Sequence, residues 1–246
     1  MGLPVLRPAC APDRARPPMR LALAAVAAVL VAACGGDSTP PIDAAKALRD
    51  GASAMAGLKT VSATVKLTKG TISIQGFSLV SARTAVRLPA DSDTVYTVKE
   101  QDVSIGIEVV IAAGHTYLHV PFSNFQELSP TQAAAFPDMA RLFDPATGLP
   151  AVIPSGTKPK YVSTDKLDGQ DAYQVSTSYT PEQVHALLAA LNSSGPVAAK
   201  VWVGASDHLI HKAVLDGAFG DAGKEAIVEV DITGFDAAVA ITSPTP

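Results

Sequence analysis

Between Val61 and Val120, apolar and polar side chains take turns almost residue by residue, and this period of two constrains the chain more than any other feature. Successive side chains of a strand point to opposite faces, so the period marks strands with one apolar and one polar face. Val61, Ala63, Val65 and Leu67 alternate with Ser62, Thr64 and Lys66. Val103, Ile105, Ile107, Val109 and Ile111 alternate with small or polar neighbours, broken only by Val110. Thr116, Leu118 and Val120 alternate with His115, Tyr117 and His119. Lys69-Gly70, Pro89-Ala90-Asp91 and Ala113-Gly114 supply the turns between runs. Connections this short join antiparallel neighbours, because a parallel pair needs a long crossover. The pattern resumes at residues 160–163 and 173–178, joined at Asp168-Gly169, and again at 197–203, 209–215, 226–232 and 238–241. The phase of the stretch around Tyr96 and Val98 stays open.

Two segments carry a helical period instead. From Asp43 to about Leu58, Asp43 can cap a helix whose one face holds Ala44, Ala47, Leu48, Gly51, Met55 and Leu58. That face is small, which predicts close packing. Thr180-Pro181-Glu182-Gln183 opens the second helix, with Thr180 at the N-cap, Pro181 at the first helical position and Gln183 closing a capping box. Its apolar face is Val184, Leu187, Leu188 and Leu191. Residues 121–160 carry prolines 121, 130, 137, 145, 150, 154 and 159, so they read as an insertion with short helices at 131–142 and 147–152. Connections of this length are usually functional, and this one is expected to act as a mobile lid. About ten strands with segregated helices indicate an α+β protein: one large curved antiparallel sheet with helices on its concave side.

The N-terminus has a different character. Leu21 to Ala33 is apolar without a break, preceded by Arg14, Arg16 and Arg20 and followed by Cys34. Thirteen residues are too few to span a bilayer but match the apolar core of a signal peptide. Val31-Ala32-Ala33-Cys34 looks like a bacterial lipobox, in which the cysteine is acylated and becomes N-terminal. The expected division is a signal peptide over 1–33 (1–18 reading as an upstream mis-start, since Met19-Arg20 opens a compact signal), a lipidated Cys34 and tether over 34–42, and one domain over 43–246. Several acyl chains on Cys34 would anchor the protein stably on the extracytoplasmic face of the membrane. The tether Gly35 to Pro41 reaches at most about 25 Å.

Several functions are disfavoured. A net charge of −4 does not suit phosphate-backbone binding, so no nucleic-acid partner is expected. Cys10 and Cys34 are the only cysteines, and neither remains a free thiol after processing, which leaves no disulfide framework and no thiol chemistry. The chain lacks a Gly-x-Ser-x-Gly elbow, a phosphate loop and a His-Glu-x-x-His helix. His115 with His119, and His208 with His211, could meet at a metal, but the pattern suits exposed strand and turn histidines better. No metal, cofactor or catalytic residue is assigned.

Certain segments resemble a known family. Asp144-Pro145-Ala146-Thr147-Gly148-Leu149 is similar to the Asp-Pro-x-x-Gly-Leu segment of actinobacterial envelope lipoproteins of the LppX/LprG type. Pro196-Val197-Ala198-Ala199-Lys200-Val201-Trp202 matches their Pro-Val-x-x-x-Val-Trp segment, and Asp207-His208-Leu209-Ile210 their Asp-His-x-Leu turn. Asp168 to Tyr173 resembles their Asn-Gly hairpin, and Ile232 to Pro244 their C-terminal ending. The resemblance covers roughly residues 31–246. It implies a half-barrel like the lipoprotein carriers LolA and LolB, enclosing an apolar cavity. It also implies binding of multiply acylated lipids or glycolipids and their movement to the outer envelope, without catalysis. The implied partners are that ligand and the membrane, with a membrane lipid exporter as a further candidate. A monomer is expected.

The aliphatic strand faces can supply such a cavity, because aromatics are only 5% of the chain and small aliphatic walls leave room for acyl chains. The candidate lining is Val65, Leu67, Ile72, Ile74, Ile105, Ile107, Val109, Leu118 and Val120 from the sheet, with Leu142, Phe143, Leu149, Val152, Leu187 and Leu188 from helices and insertion. A void well above the ~300–1,000 Å³ of small-molecule pockets is expected. The alternative is a surface structural or interaction lipoprotein whose same faces pack as a solid core, because periodicity does not distinguish a filled core from a hollow one.

Overall fold

The structure, a computed structural model, describes residues 42–101, 103–187 and 191–245. The expectations at Cys34, the signal peptide and Leu188 lie outside these residues. The chain opens with helix α1 (Ala44–Ala56), capped by the Asp43 carboxylate accepting from Lys46 N at 3.0 Å. Its buried side is Ala44, Ala47, Leu48, Gly51, Ala52 and Met55. A Cβ on Gly51 would stand 3.2 Å from Ile210 Cγ1, so glycine lets the helix lie close on the sheet.

Strands β1 (Thr60–Lys69), β2 (Ser73–Ile74), β3 (Phe77–Arg87), β4 (Asp91–Glu100), β5 (Val103–Ala112) and β6 (His115–His119) follow. After them come β7 (Gln126–Glu127) and three one-turn helices, α2 (Pro130–Ala133), α3 (Met139–Leu142) and α4 (Leu149–Val152). Then come β8 (Thr157–Leu167), β9 (Gln170–Tyr179), α5 (Pro181–Leu187), β10 (Val197–Gly204), β11 (Ile210–Gly217) and β12 (Ala226–Phe235). All strands pair antiparallel in one sheet of order β7-β6-β5-β4-β3-β1-β12-β11-β10-β9-β8, with β2 beside β3. The sheet therefore has twelve strands where about ten were expected. The two additional ones, β2 and β7, are two-residue pairings too short to show a period.

The hairpin turns sit where the sequence put them. Asp168 (φ 48°) and Gly169 (φ 82°) both take left-handed backbone, as a two-residue type I′ turn requires. The α5 cap also forms: Thr180 N donates to Gln183 Oε1 at 2.8 Å, and Gln183 N to Thr180 Oγ1 at 3.4 Å.

Two expectations need correction. The helix expected at 131–142 is split into α2 and α3 with Pro137 between them, because proline removes a backbone donor and disfavours helix in the residue before it. Residues 238–241 form no strand. Instead Ile241 is buried against Val110, Ala112 and Tyr117, and Arg87 Nη2 donates to Ile241 O at 3.0 Å. This explains the break at Val110: the C-terminal segment covers that part of the outer face, so apolar residues are needed on both faces of β5 there.

Candidate functional site

The inner face of the sheet and the segments folded over it surround a cavity of about 200 Å³. Its walls are almost wholly aliphatic. The central strands β1, β12 and β11 give Val65, Val228, Val230, Ile232, Ala213 and Leu215, and β10 gives Ala199 and Val201. Leu79, Ala82 and Tyr96 approach from β3 and β4, and Tyr179 from β9. Strands β4 and β9 are six strand spacings apart in the sheet, roughly 29 Å if it were flat. Both reach the same small cavity, so the sheet must curl around it.

The roof comes from the insertion and α5. Met139, Leu142, Leu149, Val152 and Ile153 point into the cavity, as do Val184, Leu187 and Leu191. Side-chain hydrogen bonds fasten this roof. Tyr96 Oη donates to Pro137 O at 3.4 Å, Tyr179 Oη to Ile153 O at 3.1 Å, Gln75 Nε2 to Ala135 O at 3.4 Å, and Gln183 Nε2 to Ser155 O at 3.3 Å. Burial raises both tyrosine pKa values well above the ordinary range, so the hydroxyls remain donors at any physiological pH. No buried side-chain polar atom among the described residues lacks a partner. The site therefore offers hydrocarbon contact and pins its few polar groups on backbone carbonyls.

The Asp-Pro-x-x-Gly-Leu segment builds the roof's sharpest bend. Asp144 Oδ1 accepts from Ala146 N at 3.0 Å, Thr147 N at 2.8 Å and Thr147 Oγ1 at 2.8 Å, which holds its carboxyl below the usual range. A Cβ on Gly148 would overlap the carbonyls of Leu142 and Arg141, so only glycine fits. Leu149 then enters the cavity. The Val-Trp segment acts on the opposite face. Trp202 Nε1 donates to Asp165 Oδ2 at 2.7 Å, and the Lys212 ammonium lies 5.7 Å from the ring centroid.

Of the residues expected to line a cavity, the structure brings together Val65, Ile72, Ile74, Leu142, Leu149, Val152 and Leu187. It places the others, apart from Leu188 outside the described residues, elsewhere. Phe143 is 1% exposed within the main core. Leu67 packs on the cluster of Phe219, Ala226 and Val228. Ile107 and Val109 are buried with Tyr96 and Val98, with Ile105 and Leu118 against them. Val120 is exposed. The void is also far smaller than expected, because the roof side chains fill much of the concave face. The residues missed, in β10 to β12, had a legible signal: Val228, Val230 and Ile232 alternate with Glu229 and Asp231.

Three of the five histidines pair with carboxylates, on the sheet's outer side or at turns. His115 Nδ1 lies 2.6 Å from Glu127, His119 Nδ1 3.1 Å from Glu108, and His211 Nε2 3.0 Å from Asp207. Among the described residues no three metal-ligating side chains converge, and no helix is long and apolar enough to cross a membrane.

Residues 43–241 match the model of the LppX_LprAFG lipoprotein family. The lipoarabinomannan carrier protein LprG of Mycobacterium tuberculosis is 26% identical over 231 residues, covering 91% of this chain and 93% of its own length. The crystal structure of LprF from Mycobacterium bovis superposes with a TM-score of 0.68 at 19% identity, over 85% of this chain and all of that one. The crystal structure of Mycobacterium tuberculosis lipoprotein LppX does so with a TM-score of 0.59 at 18% identity, over 80% and 97%.

Proposed function

The chain belongs to the LppX_LprAFG lipoprotein family, and on that premise we propose that it is a membrane-anchored carrier of multiply acylated lipids or glycolipids in the cell envelope. In this reading residues 1–33 are a signal peptide, Cys34 carries the acyl anchor on the extracytoplasmic face, and residues 43–246 form the lipid-binding domain. The observation that carries the reading is the aliphatic cavity shared by both halves of the sheet and closed by a hydrogen-bonded roof. A lipid with three long chains has on the order of 40 methylenes, and exposing each to water costs about 0.8 kcal/mol. Moving it through an aqueous compartment therefore requires an enclosure of this chemistry.

At about 200 Å³ the cavity is below the ~300 Å³ at which small-molecule pockets begin. In this reading the roof must move for a multi-acyl lipid to enter. Uptake lifts the segment from Ala135 to Ile153, breaking the bonds made by Tyr96, Tyr179 and Gln75, and the departing roof side chains leave the space that acyl chains fill. The small volume is also the one observation favouring the second reading, an interaction lipoprotein with a filled core.

Native mass spectrometry of the protein purified from an actinobacterial host separates the two. A stoichiometric multi-acyl lipid is expected. An apo mass that persists after incubation with host lipid extract would overturn the carrier reading. Ala213 faces the cavity, paired with Val201 and Val230. Ala213→Trp is expected to abolish lipid retention while circular dichroism stays native.

A further inference from the structure

The inner apolar rows of the sheet do not stop where the roof stops. Along β5 burial fades from Val109 and Ile107 (2% and 4% exposed) through half-buried Ile105 to Val103, which is 63% exposed. The inner row of β6 likewise runs from half-buried Leu118 to exposed Val120. Val80, also exposed, is the extra residue of a bulge in β3 between the pairs Leu79–Val98 and Ser81–Thr97, and bulges re-aim side chains. Phe122 is fully exposed on the turn after β6. These residues share one end of the sheet, where β3 and β5 begin and β4 and β6 end. The cavity reaches the same end through Ile72, Ile74 and Leu79. The other large exposed hydrophobic among the described residues, Val162, lies within edge strand β8.

The turn that presents Phe122 is built to hold it outward. Its φ is 66°, a left-handed conformation that a bulky side chain rarely adopts. Ser123 fixes the turn from both sides, its Oγ donating to Val120 O at 2.8 Å and accepting from Val120 N at 3.3 Å. Strained backbone that displays an aromatic ring to water points to a role for the ring.

We propose that the rim formed by Val80, Val103, Val120 and Phe122 docks on a lipid bilayer, with Phe122 inserted among the acyl chains. These side chains project singly from strand ends and a turn tip, an arrangement that suits insertion into a fluid apolar phase. Continuity supports the same occupant: the apolar face that lines the cavity runs out to the rim, so a chain leaving the bilayer meets hydrocarbon all the way. The described chain begins eight residues after Cys34, at most about 28 Å of extended backbone, so an anchored molecule stays within reach of the surface. The proposal rests on the carrier reading for the direction in which the cavity opens.

The test uses the full chain, acylated in an envelope-bearing host and reconstituted in phosphatidylcholine–phosphatidylglycerol vesicles whose acyl chains are brominated. Trp202 is the only tryptophan, lies mid-strand on the outer face and is the internal reference. Phe122→Trp and Val103→Trp each add one reporter at the rim. Both variants are expected to lose the added emission to bromine and to shift to the blue, while the parent's emission is unchanged. Absence of quenching in two folded variants overturns the proposal. Equal quenching of the parent overturns it as well, by laying the outer face on the membrane. Native mass spectrometry of the same samples keeps the two readings apart. Quenching with no bound lipid supports the rim and sinks the carrier reading, whereas bound lipid without quenching does the reverse.

Discussion

Tyr179 and Asp93 show how single side chains on opposite faces of the sheet carry opposite kinds of cost. Tyr179 spends its hydroxyl on Ile153 O, a buried bond between sheet and roof. Tyr179→Phe keeps the ring and removes that bond. The expected loss is about 1 kcal/mol, read as a lower urea midpoint, together with faster lipid exchange because the roof is less firmly held. Asp93 lies on β4 beside the outer-face Glu108 of β5. Burial pushes its carboxyl above the usual range, and the Glu108 charge adds to this. The folded chain therefore holds the Asp93 proton more tightly than the unfolded chain, whose value is about 3.9. Stability from this site is full below that value and falls as pH climbs through the folded value. Asp93→Asn removes the fall. The variant is expected to unfold at higher urea than the parent at pH 7 and to match it at pH 3; an equal gain at both would rule out the charge as the cause.

Among elements, the bend from Asp144 to Leu149 is the most exacting. Gly148→Ala places a methyl group against two backbone carbonyls that cannot swing away, at an expected cost of about 1–3 kcal/mol. Because Leu149 follows directly, weaker lipid retention should accompany the lower thermal midpoint. The elements were legible in the sequence wherever burial was one-sided. Strands β1, β5, β6 and β12 each have a polar and an apolar face, and alternation marks them. It failed where a second layer covers the outer face, as at Val110 under Ile241. Alternation also marks only which side a residue faces, and not whether the space opposite is empty. Ile107 and Val65 share the inner face, yet Ile107 sits under Tyr96 and Val98 while Val65 borders the void. What decides this is the path of the roof, which depends on proline positions and long-range hydrogen bonds that no local period records.

For the molecule as a whole, carrying cargo requires the roof to part from the sheet. Gln75 and Ala135 meet across that seam, through Gln75 Nε2 and Ala135 O at 3.4 Å. Cysteines at both positions, joined by a short bis-maleimide, should lock the closed form. Uptake of multi-acyl lipid is expected to be lost in the bridged protein and kept in the unbridged double variant. Unimpaired uptake after bridging would mean that chains enter by another route.

The pairing of β1 with β12 sets an order of events for a chain that is made from its N-terminus. Strands β3 to β7 can zip by local hairpins as they emerge, and so can β8 to β11. The first strand adds to β3 in the same way, but its other edge must wait for β12, since β1 lies between the two. Until β12 arrives, the molecule is two separate half-sheets, each with a bare apolar face and a raw edge. That interval is when such a chain is most open to aggregation and to proteases. The moment of closure, which also assembles the cavity walls from Val65, Val228 and Val230, is the docking of β12.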